Sequence, residues 1–295
     1  MYDCVIVGAG ASGLTAAIYL LRSNLKVAIV EESMPGGQVA NTYTIENYPG
    51  FEKVDGVTLA TNMYMQATNL GVEYFGESAL EINKVDEGFE VKLASETLKA
   101  RAVIVATGMK HRKLGIAKED EFSGKGISWC AICDGNLYRG KEVAVVGGGN
   151  SALEESIYLA GIVNKVYLIH RRDEFRGDAM VVKKVKATPN IELVLNDQIV
   201  RLEGEKDLTG LTLKSGKKLQ VEGLFEYIGF LPNSQLVTKF NITDEAGFII
   251  TDDNCQTAIP GLYAVGDVIQ KTVRQIVTAV NDGAIAALNI NKLCR

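Results

Sequence analysis

Scarcity narrows this 295-residue chain first: it carries two histidines, one tryptophan, five prolines and five cysteines. Two histidines, His111 and His170, supply too few ligands near the single Cys-x-x-Cys pair for a zinc centre, so no metal is expected. An odd cysteine total argues against a secreted scaffold stapled by disulfides. The opening run over Tyr2–Val7 reads as a strand, with no basic stretch ahead of an apolar core. No signal peptide is therefore expected, and a cytoplasmic address follows. No apolar run approaches the roughly 20 residues that cross a bilayer. A net charge of −5 offers no electrostatic reason to bind nucleic acid or an anionic membrane. What remains is an ordinary globular composition, 47% hydrophobic and 23% charged, in a chain long enough for two domains.

Glycine, by contrast, is plentiful, and two clusters of it fall at equivalent places. A strand over Asp3–Val7 runs into Gly8-Ala9-Gly10-Ala11-Ser12-Gly13, a helix to about Ser23 and a strand over Lys26–Glu31. A strand over Glu142–Val146 runs into Gly147-Gly148-Gly149-Asn150-Ser151-Ala152, a helix to about Gly161 and a strand over Lys165–His170. Each has the order of a Rossmann βαβ unit. Alternating β-type segments at Gly88–Ser95 and Thr97–Ala106 lie between them. A helix over Asp178–Ala187, short strands at Ile191–Val194 and Leu211–Leu213, and a strand ending at Tyr227-Ile228-Gly229 follow the second. Gly261–Asp267 reads as a last strand with a carboxylate at its tip, and a helical pattern from Val273 to about Leu293 closes the chain. Returning that last strand to the first half predicts an α/β fold with two Rossmann-like three-layer domains. One is discontinuous, over 1–112 and 242–295; the other, 116–239, is inserted into it.

In the first turn, Gly8 permits the tight turn, Gly10 lets a pyrophosphate approach the helix N-terminus, and Gly13 lets helix pack on strand. Glu31, ending the next strand, is placed to accept from a ribose 2′-hydroxyl. Glycine turns also arise for packing alone; strand, helix and acid together predict dinucleotide binding. In the second unit the corresponding strand ends in His170, followed by Arg171, Arg172 and Arg176. Guanidinium groups pair with a 2′-phosphate that an acid would repel. Read alone, this is a solvated basic loop; coupled to the turn through Gly147 and Gly149, it points to NADPH over NADH. Two such sites suggest electrons passing between two carriers, most simply nicotinamide to flavin, since a flavin can hand electrons on to sulfur.

Cys130-Ala131-Ile132-Cys133 supplies that sulfur. A bare Cys-x-x-Cys suits zinc, a structural bridge or redox chemistry. The lack of a second pair weakens zinc, and a helix start lowers a thiol pKa, which favours the attacking thiolate. The chemistry also requires a proton carrier. No histidine follows His170, so Asp134, next to Cys133, is the candidate by elimination; its other reading is a helix cap. Cys4 and Cys255 read as small core residues, Cys294 as a lone thiol and His111 as structural. Trp129 either shields the dithiol or merely packs.

The combination resembles low-molecular-weight thioredoxin reductases along essentially the whole chain. The matching segments are Gly8–Gly13, Gly36-Gly37-Gln38, Glu46–Phe51, Ala106-Thr107-Gly108, Cys130–Gly135, Gly147–Ala152, His170–Arg176, Gly266-Asp267 and Arg274-Gln275. The resemblance implies FAD in the discontinuous domain, with Ser12, Gly37, Gln38, Asn47, Thr107, Gly108, Asp267, Arg274 and Gln275 among its contacts. It implies NADPH in the inserted domain, with Asn150, Ser151, His170, Arg171, Arg172 and Arg176 on that side. Cys133 would be the sulfur nearest the flavin and Cys130 the one that attacks thioredoxin. Homodimers and rotation of the two domains are implied as well, since one dithiol cannot meet flavin and a bulky disulfide at once. Two departures stand out. Ile276 and Asn281 occupy a helix that in the family carries small residues and glycine, and Gly177 follows Arg176 where alanine is common. The expected reaction is NADPH to FAD to the Cys130–Cys133 disulfide to thioredoxin. Its rivals are the same chemistry on a glutaredoxin-like or peroxidase-linked carrier, a ferredoxin-fed reductase, which the basic loop argues against, and a flavin-binding redox sensor with little turnover.

Overall fold

Both glycine turns open parallel sheets in the computed structural model, which describes residues 1–42 and 44–294. The chain divides into two compact units, Met1–Lys110 with Leu231–Arg295, and His111–Phe230. The second crossing thus falls at 230/231, ahead of the 239–242 expected from sequence. The reason is apolar: Val237 and Ile242 are buried in the core of the first unit. The two crossing segments, Met109–His111 and Phe230–Pro232, pair with each other as a two-stranded ribbon.

In the first unit the strand order is Glu73–Phe75, Val27–Val30, Tyr2–Val7, Thr97–Val105, Gly88–Lys92, Glu81–Val85. Leu262–Ala264 returns to this sheet and lies parallel to Val103–Val105. The carboxylate of Asp267 is not at that strand's tip. It sits in a 3₁₀ turn, Gly266–Val268, just beyond it. Helices Ala11–Arg22, Gly56–Asn69 and Ile276–Leu293 bury their apolar stripes on one face of the sheet. Gly88–Lys92 and Glu81–Val85 fold as an antiparallel hairpin, and the opposite face is covered by that region with Val237, Ile242 and Ile249. Helix Gly56–Asn69, which the sequence reading did not anticipate, starts on Asp55, whose carboxylate accepts from Thr58 N at 2.8 Å.

The second unit has an all-parallel sheet in the order Ile191–Leu195, Lys165–His170, Glu142–Gly147, Gly223–Tyr227, Ile127–Ser128. Its central strand reads Val143-Ala144-Val145-Val146 and is buried throughout, because both faces are covered. Helices Asn150–Ala160 and Ala179–Ala187 cover one face. The other packs on an antiparallel meander of Ile199–Gly204, Leu208–Leu213 and Lys218–Leu219. Each unit is therefore three layers.

Candidate functional site

The first cradle is set by close approach. A Cβ on Gly8, at φ +109°, would lie 2.3 Å from Ala106 O, and one on Gly13 would lie 2.1 Å from Gly8 O. Neither position accepts a side chain. Gly10 differs: its Cβ would meet no protein atom within 4 Å, so the space over the helix N-terminus is open. Glu31 is fixed beside it, Oε2 accepting from Ala9 N and Oε1 from Ser33 N, both at 2.9 Å. Each oxygen keeps a further lone pair for a ribose hydroxyl.

A cleft of ≈ 380 Å³ extends from this turn. Gly10, Ser12, Glu31, Gly37, Gln38, Asn47, Thr107, Gly108, Asp267, Arg274 and Gln275 all line it, while Gly8 and Gly13 stand behind it as packing residues. Asn47 Nδ2 donates to Gln275 Oε1 at 3.0 Å, and Thr107 Oγ1 donates to Asn233 O at 2.6 Å. The Arg274 guanidinium lies 4.2 Å over the Phe248 ring. Among the described residues Asp267 Oδ1 is buried without a hydrogen-bond donor, with Lys271 Nζ 3.9 Å away. Burial raises this carboxyl above its ordinary pKa. An open glycine cradle beside a fixed acid, with an orphaned buried acceptor, suits a bound flavin dinucleotide. Of the two departures in the last helix, Ile276 lines the cleft and Asn281 is exposed.

The second cradle repeats this plan with one change. A Cβ on Gly147 would lie 2.5 Å from Tyr227 O, and Gly149 faces open space. Arg171, Arg172 and Arg176 are all exposed, with Arg176 N donating to Gly148 O at 2.7 Å. His170 does not join them. It is 5% exposed, and its ring would stand 2.2 Å from a Cβ on Gly148 and stacks on Phe175 at 5.4 Å. Burial lowers its pKa, with the three arginine charges adding to the effect. It supports the glycine turn from beneath as a neutral ring. Asn150 is engaged with Asp178, accepting from Asp178 N at 2.7 Å and donating to its carboxylate at 3.2 Å; Ser151 is exposed. Gly177 has a packing cause: a Cβ there would meet Leu153 Cδ1 at 2.4 Å and Asn150 Oδ1 at 2.7 Å. The open Gly149 and the exposed guanidiniums suit a nucleotide carrying a 2′-phosphate.

Cys130 and Cys133 form a disulfide, with Cα atoms 5.3 Å apart, across the short helix Ala131–Asp134 that Cys130 caps. Cys133 is exposed. Asp134 ends that helix and makes no side-chain cap to the turn that follows, so the capping alternative falls. Its Oδ2 instead accepts from Ser128 Oγ at 2.7 Å, and the same oxygen of Ser128 accepts from Cys130 N at 3.0 Å. Tyr227 Oη accepts from Ala131 N at 2.9 Å. Ser128 and Tyr227 thus fix the dithiol segment, yet neither stood out in the sequence. The remaining thiols are inert by environment: burial raises Cys4 and Cys294, and holds Cys255 at about 12.

Two dinucleotide cradles and a vicinal disulfide define a class: nucleotide-fed disulfide oxidoreductases. The family model for pyridine nucleotide-disulphide oxidoreductases matches residues 2–283. The chain is 45% identical over 297 residues to the thioredoxin reductase of Mycoplasma genitalium, covering 98% of this chain and 94% of that one. Its structure is similar to that of Lactococcus lactis thioredoxin reductase, with a TM-score of 0.90, 39% identity and 99% and 98% of the two chains covered. For T. acidophilum thioredoxin reductase the TM-score is 0.88, with 35% identity and 99% and 98% covered. The chain belongs to the pyridine nucleotide-disulphide oxidoreductases, in the thioredoxin reductase family. It is an oxidoreductase, and FAD and NADPH are the cofactors of its family.

Proposed function

We propose that the chain is a thioredoxin-disulfide reductase: NADPH is oxidised, and two electrons leave through Cys130–Cys133 to the disulfide of thioredoxin. The observation that carries this reading is the vicinal disulfide in the same unit as the arginine-lined cradle. On this reading Met1–Lys110 with Leu231–Arg295 holds FAD, and His111–Phe230 holds NADPH and the dithiol. When bound, FAD supplies the two-electron relay between nicotinamide and sulfur.

The chain's own residues do the rest. Gly10 would face the flavin pyrophosphate at a helix N-terminus that Gly8 and Gly13 shape by close packing, Glu31 would take the ribose, and Asp267, Arg274 and Gln275 would orient the remainder. Gly149, Asn150 and Ser151 would take the NADPH pyrophosphate at the turn that Gly147 shapes by close packing, while Arg171, Arg172 and Arg176 would take its 2′-phosphate. Once the disulfide is reduced, the Cys130 thiolate attacks one sulfur of thioredoxin and expels the other as a thiolate. Cys133 then attacks Cys130 in the mixed disulfide, restoring the pair and releasing dithiol thioredoxin. Asp134, tethered by Ser128 next to Cys133, holds or donates the proton that each leaving thiolate needs. We further infer a homodimer acting in the cytoplasm; among the described residues no helix is long and apolar enough to cross a membrane.

Anaerobic NADPH titration tests this. Wild type should take up about two more electrons per chain than Cys133→Ser, which should bleach its flavin but have no disulfide to fill. Equal uptake would remove the dithiol from the electron path. Steady-state NADPH oxidation with thioredoxin separates an enzyme from a sensor, which would stop after one stoichiometric reduction.

A further inference from the structure

Two consecutive residues of strand Gly223–Tyr227 grip the two neighbours of Cys130. Tyr227 Oη accepts from Ala131 N, and Glu226 Oε2 accepts from Trp129 Nε1 at 3.1 Å. Side chains alternate across a strand, so the grips come from opposite faces. Trp129 packs with the meander core, and Ala131 and Tyr227 with the helical one.

Glu226 is 1% exposed, and its second oxygen, Oε1, receives no hydrogen bond from an N–H or O–H among the described residues. Facing Glu226 is another carboxyl group, Glu119, itself 3% exposed. Glu119 is fully engaged: Oε1 accepts from Leu114 N at 2.7 Å, and Oε2 from Gly115 N at 2.7 Å and Ile116 N at 3.2 Å. Two buried carboxyl groups side by side cannot both be charged without a large penalty, and Glu226 is the one with an unsatisfied oxygen. Burial first, then the Glu119 charge, push Glu226 up to about 8; the Trp129 N–H and the Lys113 charge pull the other way. Lys113 is paired with exposed Asp120. The other titratable neighbour of Trp129 is His111, its ring 6.1 Å from the indole and 4.6 Å from Phe230. Burial lowers its pKa, so it is already neutral where Glu226 ionises.

We propose that Glu226 is a proton-linked positioning residue: protonated, it bridges Glu119 and the Trp129 indole and fixes Cys130 for exchange; ionised, it is repelled by Glu119 and displaces Trp129 with it. This rests on reading Cys130–Cys133 as the redox couple. The proton is lost to water, and no electrons move. Glu226→Gln is the neutral mimic, since its amide keeps an acceptor for the indole and a donor for Glu119.

Trp129 is the only tryptophan, so its emission reports this site directly. The FAD-bound full chain is titrated between about pH 6 and about pH 9.5, below ordinary tyrosine ionisation. Wild-type emission should change in a one-proton step near pH 8. Glu226→Gln should hold the low-pH value throughout, and its thioredoxin turnover should lack the alkaline decline of wild type. Glu119→Gln removes the facing charge and should move the step toward the ordinary carboxylate range. An unchanged step in Glu226→Gln, or none in wild type, overturns the proposal. Should Glu226→Gln fail to fold, an unmoved midpoint in Glu119→Gln overturns it instead. Emission needs no thioredoxin, so failure to reduce thioredoxin would sink the functional reading and leave this test standing.

Discussion

The two glycine cradles share a backbone plan and part company at the end of one strand. Each has a glycine pressed on a neighbouring carbonyl, Gly8 on Ala106 and Gly147 on Tyr227, and each has an open glycine at the helix start, Gly10 and Gly149. In the first, Glu31 closes the cradle with an acid held by two backbone N–H groups. In the second, the equivalent residue turns inward and the charge comes from three exposed arginines further along. On the proposed reading the backbone offers a pyrophosphate site in both, and the residues after the second strand decide which nucleotide fits. Two copies of one device would thereby let one chain hold two different dinucleotides.

The strongest way to break this comparison is to fill the pressed glycines. Gly8→Ala and Gly147→Ala each drive a methyl into a backbone carbonyl, costing ~1–3 kcal/mol locally. Gly8→Ala should purify colourless, whereas Gly147→Ala should stay yellow and lose reduction by NADPH; absorbance spectra with and without NADPH decide. Loss of colour in both would mean that the cradles do not divide the two cofactors.

Charge comes next. A charge-assisted bond is worth ~1.5–3 kcal/mol, so Arg172→Ala should raise the KM for NADPH by ~10- to 100-fold and leave that for NADH unchanged. His170→Ala should do something different. Removing the ring beneath Gly148 and beside Phe175 should cost ~1–3 kcal/mol of stability and weaken both nucleotides alike. Its pH dependence has a definite sign. Burial holds the folded-state pKa below the ordinary 6.5, so the unfolded chain binds the proton more readily. The stability His170 contributes is full above about 6.5 and is lost as pH falls from there through the folded-state pKa. Melting temperatures of wild type and His170→Ala across that window check it.

Both cradles were legible because their determinants are contiguous: glycine spacing, an apolar strand and the strand-end residue all lie within one short stretch. The orientation of His170 was not, since nothing local says that Gly148 leaves room for a ring. Tyr227 and Glu226 escaped because their hydrogen bonds, to Ala131 and Trp129, join segments 96 and 97 residues apart. The Ser128 hydroxyl bonds only locally, and a serine two residues before a cysteine carries no distinctive signal. Helix Gly56–Asn69 was masked by threonines and asparagines of low helix propensity, its buried positions Leu59, Met63 and Ala67 emerging only on packing. The meander was hidden by register shifts at Ile199/Arg201 and Glu203/Gly204, which break the two-residue period.

The smallest effect on the fold should come from the open glycines, and it is the sharpest test of what they are for. Gly10 has φ −74° and ψ −177°, and Gly149 has φ −97° and ψ 179°, extended values that alanine adopts without strain. Neither Cβ would meet a protein atom within 4 Å. Gly10→Ala and Gly149→Ala should therefore leave the cofactor-free chain as stable as wild type, or more stable by ~0.4–1 kcal/mol through the unfolded state. The methyl would instead occupy the space the pyrophosphate approaches. Gly10→Ala should weaken flavin retention alone and Gly149→Ala the KM for NADPH alone, each by about 10-fold, as for ~1.4 kcal/mol. Thermal melts of stripped protein, paired with flavin release and NADPH kinetics, give both halves. A pair of variants with unchanged cofactor binding would show that the openings lie beside the phosphates and not beneath them.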